Sequence, residues 1–394
     1  GGFIGTDGLD APDPPTGVAG TAGDASVSVA FTAPTDVGTS AITGFVAQVS
    51  TNDIAYSAGS NTGTSSPIVV SSLTNDTAAT SKVWAINAYG TSAPSDASAS
   101  FTPVQPQVGL FMGGSTGSNS DVIDKIDLVS TGNASDFGNL LTANFYLSKG
   151  GASSGVRGVV GGGDSNSNVM QYVTIATAGN ATDFGDLSHT AVQGAWCSSA
   201  TRGVHAGGGE IDIEYITIDT TGNTTDFGDL VRESQEMGGA SSTTRGVFAS
   251  LHAGSGNDIG YITIASTGND TDFGDLLSSI TNGNPAGGSN NTRGIFAGGP
   301  VGSATNVIQY ITIASTGDAS DFGDLTETSQ GPYGVTGLVK MAIAIGRNSG
   351  NAADNAIDQI TIASTGNATD FGDLSVARQL GNASVSQHHG GIAT

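Results

Sequence analysis

The chain has a single cysteine, Cys197, in 394 residues, so no internal disulfide framework can hold it together. Lysine and arginine together number 11 against 35 aspartates and glutamates, a net charge of −24. That balance excludes neutralising the phosphates of DNA or RNA and argues against an anionic membrane surface. No apolar run approaches the length that spans a bilayer. The opening GGFIG lacks the basic region and apolar core of a secretory signal. Runs of Leu, Glu, Lys and Ala are missing, so helices are not expected. There is no P-loop, no G-x-S-x-G and no C-x-x-C. The glycine pairs end strands with no helix behind them, so they cannot cradle phosphate. The expectation is a chain with no cofactor and no bound metal that is not an enzyme.

Glycine is plentiful, at 61 residues. Ser, Thr, Asn and Asp fill much of the remainder, and Val, Ile and Phe come in short bursts. That pattern predicts an all-β chain of short strands and tight turns. Residues 1–10, GGFIGTDGLD, are too few for a domain. Phe3 and Ile4 are too apolar for a purely solvated tail, which points to an attachment segment and a homo-oligomer.

Residues 11–103 alternate apolar and polar positions. Val27, Val29 and Phe31 share one face, as do Ile42, Phe45, Ala47 and Val49, and Val83, Ala85 and Ala88 approach a turn at Gly90. About seven strands in this length suit a β-sandwich. PPTGVAG followed by VSVAFTAP, and VWAINAYGTSAPS followed by ASFTP, resemble a fibronectin type III domain. Phe31 stands where that family usually has a core Trp. The resemblance implies a spacer or adhesive module, with a docking site of its own as the alternative. VQPQ, Val104–Gln107, reads as a linker.

From residue 108 to 394 one phrase recurs. Its D-F-G core begins at Asp136, Asp183, Asp226, Asp272, Asp321 and Asp370. The period of about 47 residues, with four short strands in each, predicts a propeller blade. The apolar strand ending in a Gly pair, the Y-x-I strand, the aromatic opening the fourth strand and the small-residue strand resemble kelch repeats. That family places Trp where this chain has Phe. The resemblance implies a six-bladed β-propeller. Phe137, Phe184, Phe227, Phe273, Phe322 and Phe371 are expected between neighbouring blades, where burial of each stabilises by roughly 1.5–3 kcal/mol. Asn133, Asn180, Asn223, Asn269 and Asn367, with Asp318 in the fifth unit, suit Asx turns. The strand within Leu380–Ser386 is expected to complete the first blade. HGGIAT, His389–Thr394, reads as either a short extra strand or the start of a seventh repeat.

The turns after the second and fourth strands vary, and loops on a rigid scaffold carry recognition. Candidate binding residues there are Phe145, Tyr146, His189, Arg232, Tyr333 and Arg378; aromatic and Arg side chains anchor interfaces. Trp196 is expected in an inner strand, facing a central channel that it plugs or lines. The acidic turn N-A-T-D-F-G-D lacks the spacing of a calcium loop, so it is read as turn chemistry. Arg157, Arg202, Arg245 and Arg293 fall on the constant face and look structural.

The acidic, lysine-poor composition, the fibronectin-like module and the near-identical STGNATDFGDL units resemble surface proteins of tailed bacteriophage virions, notably marine ones. The resemblance implies a virion structural and adhesion protein, a tail fibre or decoration. Its partners would be other virion proteins and a host surface glycan, and it would lie on the virion surface. The alternatives are a bacterial extracellular or cell-surface scaffold and, remotely, a glycan-cleaving propeller enzyme.

Overall fold

The computed structural model of the protein describes residues 10–392 except 165–166, 252–255, 278–283, 300–303 and 381–382. Phe3 and Ile4, and all of the short opening segment but its last residue, lie outside the described residues. Every regular element among the described residues is a β-strand. The chain divides into two compact units, Gly1–Pro106 and Gln107–Thr394.

The first unit has two antiparallel sheets. One contains Thr16–Gly23, Ser26–Thr32 and Ile68–Ser71. The other runs in the order Gly59–Gly63, Ile42–Ser50, Thr80–Asn87, Gly90–Thr91. The period-two pattern decides what is buried. Val27, Val29, Phe31, Phe45, Ala47, Val49, Val83 and Ala85 form the core, with the rings of Phe31 and Phe45 4.8 Å apart. Ile42 is partly buried against it. Ala88, expected inside, is exposed because it lies in the turn before Gly90. After Thr91 the chain leaves regular strand geometry, yet Ser92, Ser95 and Ser98 accept the amides of Ala85, Val83 and Ser81 through their hydroxyls.

The second unit holds six four-stranded antiparallel sheets, none of which closes into a barrel. In each, the first strand is short, and in most it is rich in Gly, Ala and Ser. Sheet I is Ala383–Ser386, Val108–Met112, Val122–Asp127 and Ser135–Asn139. Sheet II is Ala152–Ser153, Arg157–Gly161, Val169–Thr174 and Thr182–Asp186. Sheet III is Ala195–Ser198, Arg202–Ala206, Glu210–Thr217 and Thr225–Ser234. Sheet IV is Gly238–Ser241, Arg245–Leu251, Asp258–Thr263 and Thr271–Asp275. Sheet V is Ala286–Ser289, Arg293–Ala297, Thr305–Thr312 and Ser320–Ser329. Sheet VI is Tyr333–Thr336, Lys340–Ala344, Asp354–Thr361 and Thr369–Arg378. The strand expected to complete the first sheet does so, Val385 pairing with Leu110.

The D-F-G phrase is a β-bulge. In sheet I, Asp136 and Gly138 pair with the consecutive residues Asp124 and Ile123, so Phe137 is the extra residue. The same irregularity recurs in sheets II to VI. A bulge re-aims a side chain and frees its backbone from the ladder. Here both go to the next sheet. Phe137 clusters with Val173 of sheet II and Ile175 just after that strand, and Phe371 with Ile126 of sheet I and Leu128 just after that strand. The freed carbonyls of all six phenylalanines accept amides of Gly179, Gly222, Gly268, Gly317, Gly366 and Gly132 at 2.7–2.9 Å. The bulge glycine has no alternative: Gly138 has φ 150°, and a Cβ there would lie 2.3 Å from the Gly179 carbonyl oxygen.

Candidate functional site

The inner strands of all six sheets line one cavity of about 50 Å³. That volume admits only a few waters. Glycine and small residues dominate its lining, with Ser153, Ser198, Ser241, Ser289, Thr336 and Ser386 in equivalent places, and Val335, Val385, Trp196 and His389 also line it. The hydroxyls join neighbouring strands: Ser198, Ser241 and Ser289 accept the amides of Ser153, Ser198 and Ser241 at 2.9–3.2 Å.

Trp196 does not plug this cavity. Its backbone lines it, but its ring is buried between sheets II and III, with Met170, Phe184 and Ala191, 5.0 Å from the ring of His205. The alternation of an inner strand turns every second side chain into the joint. What closes one end of the cavity is instead the segment after Ser386. His389–Thr394 is no further strand: up to Ile392 it is a turn, and Ala393 and Thr394 lie outside the described residues.

At the other end of the inner strands, six residues have left-handed backbone: Tyr146, Gln193, Glu236, Asn284, Gly331 and Leu380, with φ of 54–61°. Four of their amides form a chain from sheet to sheet, Tyr146 donating to the carbonyl of Leu380, Gln193 to Tyr146, Glu236 to Gln193 and Asn284 to Glu236 at 2.6–3.1 Å. Lys149 is buried behind them, its Nζ donating to the Pro332 carbonyl oxygen. Burial pulls its ammonium down to about 7, and Glu236 opposes that in part.

Of the residues expected in recognition loops, two are interior. Tyr333 begins the inner strand of sheet VI, and Arg378 ends its outer strand. Arg378 is 0% exposed and pairs with the equally buried Asp124 of sheet I at 3.0 Å. It also donates to the carbonyls of Val122 and Phe111, and its Nε lies 3.4 Å from the Tyr333 hydroxyl. The guanidinium therefore ties sheet VI to sheet I. Phe145 and Tyr146 are half-buried, their rings 4.3 Å apart and tilted by 40°. Arg232, expected in a loop, lies in the outer strand of sheet III, which runs on to Ser234; it stays on the surface, paired with Asp258 at 2.9 Å.

His189 joins a polar cluster at the joint of sheets II and III. Its Nε2 donates to the Gly207 carbonyl at 3.2 Å, and its Nδ1 lies 3.3 Å from Asp212. Behind it, Ser148 Oγ, His205 Nε2 and Glu214 are in series, at 2.9 Å and then 3.4 Å from His205 Nδ1 to Glu214. Hydroxyl, imidazole and carboxylate in that order suit nucleophilic chemistry. All three are buried, at 0%, 0% and 1% exposure, so no substrate carbonyl can reach the hydroxyl. Burial alone would raise the Glu214 carboxyl; His205, Thr224 and the Ser188 amide outweigh it and hold it at about 2. Glu214 Oε2 accepts that amide at 2.9 Å, the place that Gln171, Gln309, Asp358 and Asp124 take at other joints. Among the described residues no three His, Cys, Asp or Glu side chains are arranged to hold a metal ion.

The repeated polar residues also go to the joints. Asn180, Asn223, Asn269, Asp318, Asn367 and Asn133, read as Asx-turn residues, direct Oδ1 across to an amide of the preceding sheet at 3.0–3.2 Å. Arg157, Arg202, Arg245 and Arg293 stack over Tyr172, Tyr215, Tyr261 and Tyr310 at 4.3–4.5 Å. Each also donates to an isoleucine carbonyl one sheet on.

No family model and no curated protein matches this chain. Among solved structures, titin domains A168–A170 are similar at 26% identity, with a TM-score of 0.23. The match covers 25% of this chain and 33% of that one, so the chain spans about a third of that structure's length. At that TM-score the likeness carries no argument.

Proposed function

We propose that the second unit is a six-bladed β-propeller of kelch-like type, and that the protein is a non-enzymatic virion structural and adhesion protein. The observation that supports the ring is the sixth joint. Phe371 meets Ile126 and Leu128 as Phe137 meets Val173 and Ile175, so the order of sheets returns to its start. Six repeated joints and a buried Arg378–Asp124 tie make a stiff body. The differences between repeats then fall in the turns that follow the second and fourth strands. Phe145, Tyr146 and, in part, His189 are the named side chains that keep surface there, and Arg232 keeps it on the outer strand of sheet III, Thr225–Ser234. A face of this kind suits a host surface glycan or a neighbouring virion protein, by planar stacking and bidentate hydrogen bonds.

The test is to locate the chain and then block it. Antibody against it should label purified phage particles, and the free protein should compete with their adsorption to host cells. Labelling of bacterial envelopes without particles would favour the cell-surface scaffold and end the virion reading. A carbohydrate array probed with the protein, and with Arg232→Ala, then separates a glycan partner from a protein one.

A further inference from the structure

The six residues after the last strand are placed by contacts unlike those of a solvated tail. Gln387 is anchored to the start of sheet I, its amide donating to the Val108 carbonyl and its Oε1 accepting the Val108 amide, each at 3.0 Å. The chain then turns into the end of the cavity. Gly390 donates to the Ser289 carbonyl at 3.0 Å. A Cβ on Gly390 would lie 2.0 Å from the Ser241 carbonyl oxygen, and one on Gly391 1.6 Å from that of Ser198. Only glycine fits at either place.

His389 sits at the centre of the turn. Its Nε2 faces the Ser153 carbonyl oxygen at 3.0 Å, and a carbonyl only accepts, so Nε2 carries the proton. Its Nδ1 accepts the Gly391 amide at 3.0 Å, so Nδ1 carries a lone pair. The two bonds fix one neutral tautomer. A second proton on Nδ1 would face an N–H, break the turn and leave a cation in the cavity. Among the described residues no carboxylate there would compensate it. The residues lining the cavity and the neighbouring cleft include no Asp, Glu, Lys or Arg, and the other titratable groups are the Cys197 thiol and the adjacent His388.

We propose that His388–Ile392 is a proton-released stopper of the central cavity: neutral His389 holds it in place, and protonated His389 lets it swing out about Gln387 while Ala383–Ser386 stays in sheet I. Burial, the main cause, brings the His389 imidazole down from 6.5 to about 4, with the Ser153 contact opposing it and His388 adding to it. The sign follows from proton binding. The seated form holds fewer protons than the released form between those values. The stopper is therefore fully held above pH 6.5 and loses hold as pH falls towards 4. Over that span the balance moves about 80-fold towards release, and about 300-fold in all once pH lies well below 4.

Nuclear magnetic resonance of the full chain tests this. At pH 7 His389 should show the Nε2–H tautomer, its titration midpoint should lie near 4, and the Gly390 and Gly391 amide signals should move to solvated positions at the same midpoint. The Val385 amide, inside sheet I, should keep its protection. His389→Gln keeps a donor that cannot titrate, so its glycines should stay seated at pH 4, and His388→Gln, which removes only the smaller contribution, should keep release and raise its midpoint slightly. A midpoint at the ordinary value for histidine overturns the proposal. So do release of the His389→Gln stopper at the same pH, and loss of Val385 protection together with the glycines, which would be unfolding.

Discussion

Asn133 accepts the amide of Asp373 at 3.2 Å, across 240 residues of chain. The same bond joins Asn180 to Asn139 at 3.1 Å, across 41 residues. If the sixth joint equals the other five, Asn133→Ala and Asn180→Ala should cost the same, about 1 kcal/mol each. Urea unfolding measures both. A cost confined to Asn180→Ala would mean that the joint between the last and first sheets is not formed in solution.

The bulge phenylalanines should be the most sensitive apolar positions. Phe227→Ala and Phe371→Ala should each cost about 3–5 kcal/mol, a transfer loss plus a cavity. Phe→Trp overpacks and should cost about 1–3 kcal/mol. Gly138→Ala should also destabilise, since its Cβ meets the Gly179 carbonyl oxygen at 2.3 Å and its φ of 150° disfavours any side chain. Thermal unfolding of the four variants ranks them.

Arg378→Met strands the buried charge of Asp124, and breaking such a pair costs about 3–5 kcal/mol. Adding Asp124→Asn should recover part of that loss. Gln171 and Gln309 show that a neutral amide fills the equivalent place. A double variant no more stable than Arg378→Met alone would mean that the charge of Asp124 is not what the guanidinium compensates.

Lys149 lowers stability wherever its folded form refuses a proton that the unfolded chain accepts. Its ammonium is pulled from 10.5 to about 7, so the wild type should weaken as pH falls between those values and level off below. Lys149→Met should lack that slope. Subtracting the two stability curves over pH 6–10 isolates the effect from every other group.

Arg232 is the control for function apart from fold. Its ion pair with Asp258 is about half exposed at the guanidinium, and such pairs contribute under about 1 kcal/mol. Arg232→Ala should leave the unfolding midpoint nearly unchanged. A fall in adsorption competition with no change in stability would place a partner at the outer strand of sheet III.

Much was legible along the chain because its causes are local. Strand alternation, turn glycines and the period of about 47 residues need only neighbours in sequence, and they predicted the all-β class, the Phe residues as buried and the completion of sheet I by Ala383–Ser386. Tertiary contact decided the rest. Arg378 and Tyr333 read as loop anchors, since nothing nearby in sequence shows Asp124 waiting 254 positions away. Trp196 read as plugging or lining a channel; it is among the residues lining the cavity, but strand alternation and the neighbouring sheet turn its ring into a joint. The asparagines carry turn chemistry in their spelling and bond across the joint in space. A side chain's partner is set by which backbone arrives opposite it, and that follows from the assembled sheets, not from the residues beside it.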